Sequence, residues 1–102
     1  METEKAAELF SALGQPTRLE ILKTIAPHSH GDNPRGLPAG EIGQILGLPP
    51  ATLSFHLKDM NYKSLVVTRR EGRKIYYRAN LEVLLDTLDE LITHVLEPDG
   101  ET

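Results

Sequence analysis

Apolar positions along the chain repeat at helical spacing through four segments, give way to two short strand-like runs around a glycine, and return to helical spacing at the end. From Glu4 to Leu13, Ala6, Leu9, Phe10 and Leu13 share one helical face, and Gly14 ends the run. Pro16 suits the first turn of a second helix, where its missing N–H costs nothing. That helix is expected to run to about Ala26 with Leu19, Leu22 and Ile25 inward, and Pro27 stops it. Residues Pro27 to Pro38, PHSHGDNPRGLP, are rich in turn formers and predict a loop, with a short strand through Gly36–Leu37. A third helix is expected over Ala39 to Leu46, burying Ile42 and Ile45. Gly47-Leu48-Pro49-Pro50 is a tight turn. It leads into a fourth helix, about Pro50 to Tyr62, with Leu53, Leu57 and Met60 on one side. Two strands follow, Leu65–Arg70 and Lys74–Ala79, joined by a Glu71-Gly72 turn of the kind that closes a tight hairpin. Asn80 is a plausible N-cap for a last helix reaching about Leu96.

Length and pattern together predict one domain over residues 1–102, mainly α with a small β-hairpin. A helix followed directly by a basic hairpin is the pattern of a winged helix-turn-helix, which offers the helix to a DNA major groove and the wing to the backbone beside it. Charge sharpens this. The chain carries a formal net charge of −4, yet residues 56–78 hold seven Lys/Arg against two Asp/Glu, a local +5. Residues 79–102 hold seven acids and no Lys or Arg, a local −7. Binding a polyanion needs a local basic surface, not a basic average.

On the fourth helix the side opposite the apolar stripe presents Ala51, Ser54, Phe55 and Lys58, with Thr52 at its margin. Small Ala51 and Ser54 permit close approach to base edges, and Thr52 and Ser54 can hydrogen-bond bases or phosphates. Lys58 is a natural phosphate contact. Phe55 has two readings: packing on a thymine methyl group, or packing on the wing or a neighbouring helix. His56 lies nearer the buried side and reads as a half-buried histidine bonded to a backbone group, in preference to a base reader. In the hairpin, Arg69, Arg70, Arg73 and Lys74 are the candidate DNA contacts.

The segments Leu13-Gly14-Gln15-Pro16-Thr17-Arg18-Leu19-Glu20-Ile21-Leu22, Thr52-Leu53-Ser54-Phe55-His56-Leu57-Lys58, Leu65-Val66-Val67 and Arg69-Arg70-Glu71-Gly72-Arg73-Lys74-Ile75-Tyr76-Tyr77 resemble the ArsR/SmtB repressors, in order and over most of the chain. The resemblance implies a homodimer that binds an inverted-repeat, double-stranded DNA operator and leaves it when an effector binds. It also implies DNA contacts at Ala51, Thr52, Ser54 and Phe55, in agreement with the helical wheel.

The departures are informative. Many family members carry a Cys-x-Cys metal site entering the third helix, where this chain reads Leu37-Pro38-Ala39-Gly40-Glu41-Ile42. The stretch LPAGEIGQILGLPPATLSFHLK looks like a subgroup of arsenite-responsive repressors with paired cysteines after the last helix; the corresponding region here is Thr93-His94-Val95-Leu96-Glu97. The chain has no cysteine, so thiolate sensing of metal or arsenite is excluded and the effector is left unnamed. The glycine usual before the first wing strand is Ser64, which predicts a slightly strained turn.

The last helix places Leu81, Leu84, Leu85, Leu88, Leu91, Ile92 and Val95 at three- and four-residue steps. That is more apolar surface than one edge of a small domain needs. Leu84, Leu85, Leu88, Leu91, Ile92 and Val95 are therefore expected to pair with a symmetry mate, together with Leu9, Phe10 and Leu13 of the first helix. No metal and no cofactor is expected. His94 and Glu97 form a His-x-x-Glu pair on one helical face, like half of a zinc site found in some family members, but the upstream positions for the other half are Leu81 and Val83. His28, His30 and Asp32 form a second cluster in the loop. Neither set is a complete tetrahedral shell.

No Ser/His/Asp order and no Gly-x-x-x-x-Gly-Lys loop supports an enzyme. The start METEKAAELF has no signal-peptide pattern and no stretch approaches membrane-spanning length, so a cytoplasmic protein without a membrane partner is expected. The leading expectation is a dimeric repressor. The alternatives are a winged-helix module that binds protein, and a repressor with a His/carboxylate metal site on the last helix.

Overall fold

A computed structural model of the protein describes residues 3–96. Five helices and three strands follow in the order α1 (Thr3–Leu13), α2 (Pro16–Ile25), β1 (Leu37–Pro38), α3 (Ala39–Leu46), α4 (Pro50–Tyr62), β2 (Val66–Glu71), β3 (Lys74–Ala79) and α5 (Leu81–Leu96). The strands form one antiparallel sheet in the order β1-β3-β2, with Leu37 opposite Tyr77 and Val66 opposite Ala79. This is the winged helix-turn-helix arrangement. One core serves all elements: Ile21 and Ile25 of α2, Ile42 of α3, Leu53, Leu57 and Met60 of α4, and Leu65, Val66 and Ala79 of the hairpin are buried.

Two apolar residues expected inside are outside. Leu19 is 47 % exposed and Ile45 is 61 % exposed. For Leu19 the reason is a displaced register. The buried face of α2 is Arg18, Ile21, Leu22 and Ile25, so an arginine occupies the inward position. Nothing in the fold explains Ile45. The observed strand bounds also differ slightly from the expected ones. Glu71 pairs with Lys74, so the hairpin turn is Gly72-Arg73 and not Glu71-Gly72. Gly72 has φ 62, which places glycine at the first central position of a two-residue turn, as type II′ requires.

The loop after α2 begins with a 3-10 turn, Ala26–His28, and is tied down. Ser29 is buried; its Oγ donates to the Ile25 carbonyl (2.6 Å) and accepts from the Ala79 N–H (2.8 Å). Gly36 adopts φ 81, and a Cβ there would lie 2.1 Å from the Tyr77 carbonyl oxygen. The chain therefore has to be glycine where it enters β1, one residue later than expected.

Candidate nucleic-acid interface

Helix α4 is positioned by its apolar stripe. Leu53, Leu57 and Met60 sink into the core, and Pro49 and Pro50 set its start. The opposite face then points outward by geometry: Ala51, Thr52, Ser54, Phe55 and Lys58 are all exposed. Phe55 is 66 % exposed and meets the His56 ring edge-on at 5.6 Å. It is not packed away on the wing. Tyr62, one turn beyond Lys58 on the same side, is 85 % exposed.

The wing lies next to this face. A cleft of about 290 Å³ between α3, α4 and Tyr77 is lined by Gln44 and Ser54. An adjoining one of about 490 Å³ shares Gln44 and Tyr77 and reaches Arg73, Lys74 and Ile75 at the wing tip. The hairpin cations are not equivalent. Arg69 is paired with Glu71, which also takes Arg35 from the loop before β1 at 3.3 Å. The Arg35 guanidinium lies over the Tyr76 ring, 5.1 Å from its centroid. Among the described residues Lys58, Arg70, Arg73 and Lys74 are exposed and have no ion pair, so their charge faces solvent uncompensated.

Behind the outward face lies a polar cluster that pattern reading missed. Arg18 is 2 % exposed. Its Nε donates to His56 Nδ1 at 3.0 Å and its Nη1 donates to Asp59 Oδ2 at 2.5 Å. Lys63 reaches the same carboxylate oxygen at 3.1 Å. The His56 partner is thus a buried arginine and not a backbone group. Burial, then the Arg18 charge, lower the His56 pKa below its ordinary 6.5 against a smaller opposing pull from Asp59. The hydrogen bond from Lys63, reinforced by Arg18, holds the Asp59 carboxyl below its ordinary 3.8 against the effect of burial. The signal for Arg18 was its spacing, three, four and seven residues from Ile21, Leu22 and Ile25. Arg35 left no such signal, because its loop has no period.

A match to the helix-turn-helix domain family covers residues 13–60. An HTH-type transcriptional regulator of Methanocaldococcus jannaschii is 36% identical over 91 residues, covering 86% of this chain and 96% of that one. The transcriptional repressor PagR of Bacillus anthracis is 38% identical over 80 residues, 78% of this chain and 74% of PagR. An ArsR-like transcriptional regulator from Rhodococcus superposes with a TM-score of 0.79 at 28% identity, over 95% of this chain and 85% of that one. The chain belongs to the ArsR/SmtB family. It is a DNA-binding transcriptional regulator of that family. A homodimeric winged helix-turn-helix DNA-binding domain from Mycobacterium bovis is also similar, with a TM-score of 0.65 at 28% identity over 89% of this chain and 84% of that one.

The far side of this ArsR/SmtB protomer carries the residues expected to pair. On α5, Leu85, Leu88, Leu91, Ile92 and Val95 are exposed, between 42 % and 66 %. Leu84, Phe10 and Leu13 are half-buried around a small apolar gap between α1 and α5, and Leu9 is buried within the protomer. His94 is exposed on α5, while Glu97 lies outside the described residues. Among the described residues no group of three His, Cys, Asp or Glu side chains is placed to hold a metal ion. Among them, too, no helix is long and apolar enough to cross a membrane.

Proposed function

We infer that the protein is a dimeric repressor that reads an inverted-repeat operator and is released from it by an effector that is not held by thiolates. Ala51, Thr52, Ser54 and Phe55 enter the major groove; Lys58, Arg70, Arg73 and Lys74 hold the phosphates on either side. Arg69, held by the Glu71 carboxylate that it shares with Arg35, acts mainly to stiffen the wing. The observation that carries this reading is the side-by-side placement of an uncovered small-residue helix face and four uncompensated cations. The exposed leucines of α5 supply the dimer contact, as the homodimeric relative from Mycobacterium bovis suggests. A cytoplasmic place of work belongs to the same reading.

The test is fluorescence anisotropy of the protein on its own upstream DNA, at rising salt, and repeated with zinc and with arsenite. Tight binding that weakens steeply with salt supports the reading. Release by zinc makes His94 and Glu97 the next targets for substitution. Release by arsenite overturns the exclusion of thiolate chemistry. Salt-insensitive capture of a protein partner with no DNA binding at low salt replaces the repressor with an interaction module.

A further inference from the structure

The cluster Arg18, His56, Asp59 and Lys63 is not needed to make a helix pack. A buried arginine pays a large desolvation penalty unless every donor finds an acceptor. An apolar residue at position 18 would fill the α2 register at no such cost. What the arginine adds is direction. Its planar guanidinium forks onto two side chains three residues apart on α4, His56 and Asp59, and so fixes both the rotation and the rise of that helix against α2. Both lie next to the outward residues: His56 follows Phe55 and Asp59 follows Lys58.

We propose that Arg18 is a positioning residue that locks the recognition helix in its DNA-reading orientation, and that the lock closes only while His56 is neutral. The inference rests on the DNA-binding reading of α4. The bond from Arg18 Nε requires a lone pair on His56 Nδ1, so the ring carries its proton on Nε2. A proton on Nδ1 removes the acceptor and sets two donors, both positive, 3.0 Å apart. The charged groups acting on the ring are Arg18 from α2 and Asp59 from α4 itself; Lys63 acts through Asp59. α3 and β2, which also pack on α4, bring no charge that acts on the ring among the described residues. Asp59 cannot rescue the protonated ring fully, because its Oδ2 is already shared by Arg18 and Lys63.

The sign of the pH effect follows. The folded His56 is held below 6.5, so the unfolded chain takes the proton first and stability falls as pH drops from 6.5 through the folded value. Asp59 adds a lower limb: its contribution is intact above 3.8 and is lost as pH falls through its lowered folded value. Operator affinity should follow the upper limb, with one proton linked to release.

The experiment measures operator affinity by anisotropy across about pH 8 to pH 5, the window in which histidine titrates. It compares the wild type with His56→Asn, whose Oδ1 replaces Nδ1 as acceptor without titrating. The expected wild-type affinity falls about tenfold per pH unit on the acid side of the folded pKa, while His56→Asn stays nearly flat. In parallel, nitrogen NMR of the free protein reads the tautomer and titration of His56 with no DNA present. The expected ring is protonated on Nε2, and its pKa rises in Arg18→Gln. Equal pH dependence in wild type and His56→Asn overturns the lock as a pH device. An Nδ1-protonated ring overturns the hydrogen bond itself. Absence of DNA binding at every pH, with the expected tautomer intact, removes the DNA-binding reading and the proposal with it, while leaving the Arg18–His56 bond standing.

Discussion

Helices α4 and α5 are both amphipathic, yet they spend their apolar faces in opposite ways. In α4 the stripe of Leu53, Leu57 and Met60 is at most 3 % exposed, and the outward side is small or polar apart from Phe55 and Tyr62. In α5 the one buried residue is Thr87, and five large aliphatics from Leu85 to Val95 face outward. The first helix is completed by its own chain. The second is not. An apolar face of that extent on a single protomer marks an interaction site. The two ends of the fold thus differ: one buries its apolar stripe and presents uncompensated cations, and the other leaves an apolar face exposed.

The largest effect that can break this comparison is a truncation on each helix. Leu57→Ala on α4 should cost about 2–5 kcal/mol, since the site is fully packed and relaxes poorly. Urea denaturation reads this directly. Leu88→Glu with Ile92→Glu on α5 should leave the helical signal of the protomer in place and halve the mass in sedimentation. Operator affinity should then fall by about 10²–10⁴, because two linked half-site contacts become one. A wild type that already sediments as a protomer would remove the second copy as the cover of α5.

A smaller effect separates the cations of the wing. Arg70→Gln with Arg73→Gln should lower the slope of log affinity against log salt by about 2, one for each lost phosphate contact, on all DNA sequences alike. Arg69→Gln should change that slope less than Arg70→Gln does, because the side chain is held on Glu71, a carboxylate it shares with Arg35, and is less free to reach a phosphate. Equal slopes for Arg69→Gln and Arg70→Gln would mean that the Glu71 pair opens on DNA. Ser54→Val should instead alter sequence preference while keeping the salt slope.

The two helices also differ in how far the sequence could be read. The inward stripe of α4 and the outward stripe of α5 both follow a clean helical period, so their faces were legible. So was the wing, from two short runs with a glycine between them, although its turn falls one residue later than expected. Helix α2 was legible in part: Leu22 and Ile25 are inside as expected, but hydrophobicity alone also assigns Leu19 inward and cannot see that Arg18 is held inside by His56 and Asp59, more than thirty residues away. Long-range side-chain pairing leaves no local period. For the same reason the sequence grouped Arg69 with the free cations and left out Arg35, whose partner Glu71 becomes its neighbour only when the loop crosses to the wing. The exposed positions of α4 were legible as a face; the device behind that face was not.

The smallest effect tests the junction that sets the wing on α4. Helix α4 ends with the Ser64 N–H bonded to the Asn61 carbonyl (3.1 Å) and the Leu65 N–H to the Met60 carbonyl (2.8 Å). This is a Schellman ending, which wants a left-handed residue at its first position beyond the cap. Ser64 takes that position with φ 63, and among the described residues it is the one non-glycine with positive φ. Its carbonyl also accepts from Asn80 Nδ2 at 3.0 Å, so the strained residue joins α4, β2 and the start of α5. Removing the Cβ relieves about 1–2 kcal/mol of left-handed strain but gives the unfolded chain about 0.5–1 kcal/mol of added freedom. Ser64→Gly should therefore stabilise the protein by about 0.5–1 kcal/mol, read as a higher urea midpoint at unchanged slope. Because the backbone path is kept, operator affinity should not move. A gain in stability accompanied by a change in affinity would mean that serine strain tilts the wing against the recognition helix, which would make this turn part of the DNA-reading geometry and not only its hinge.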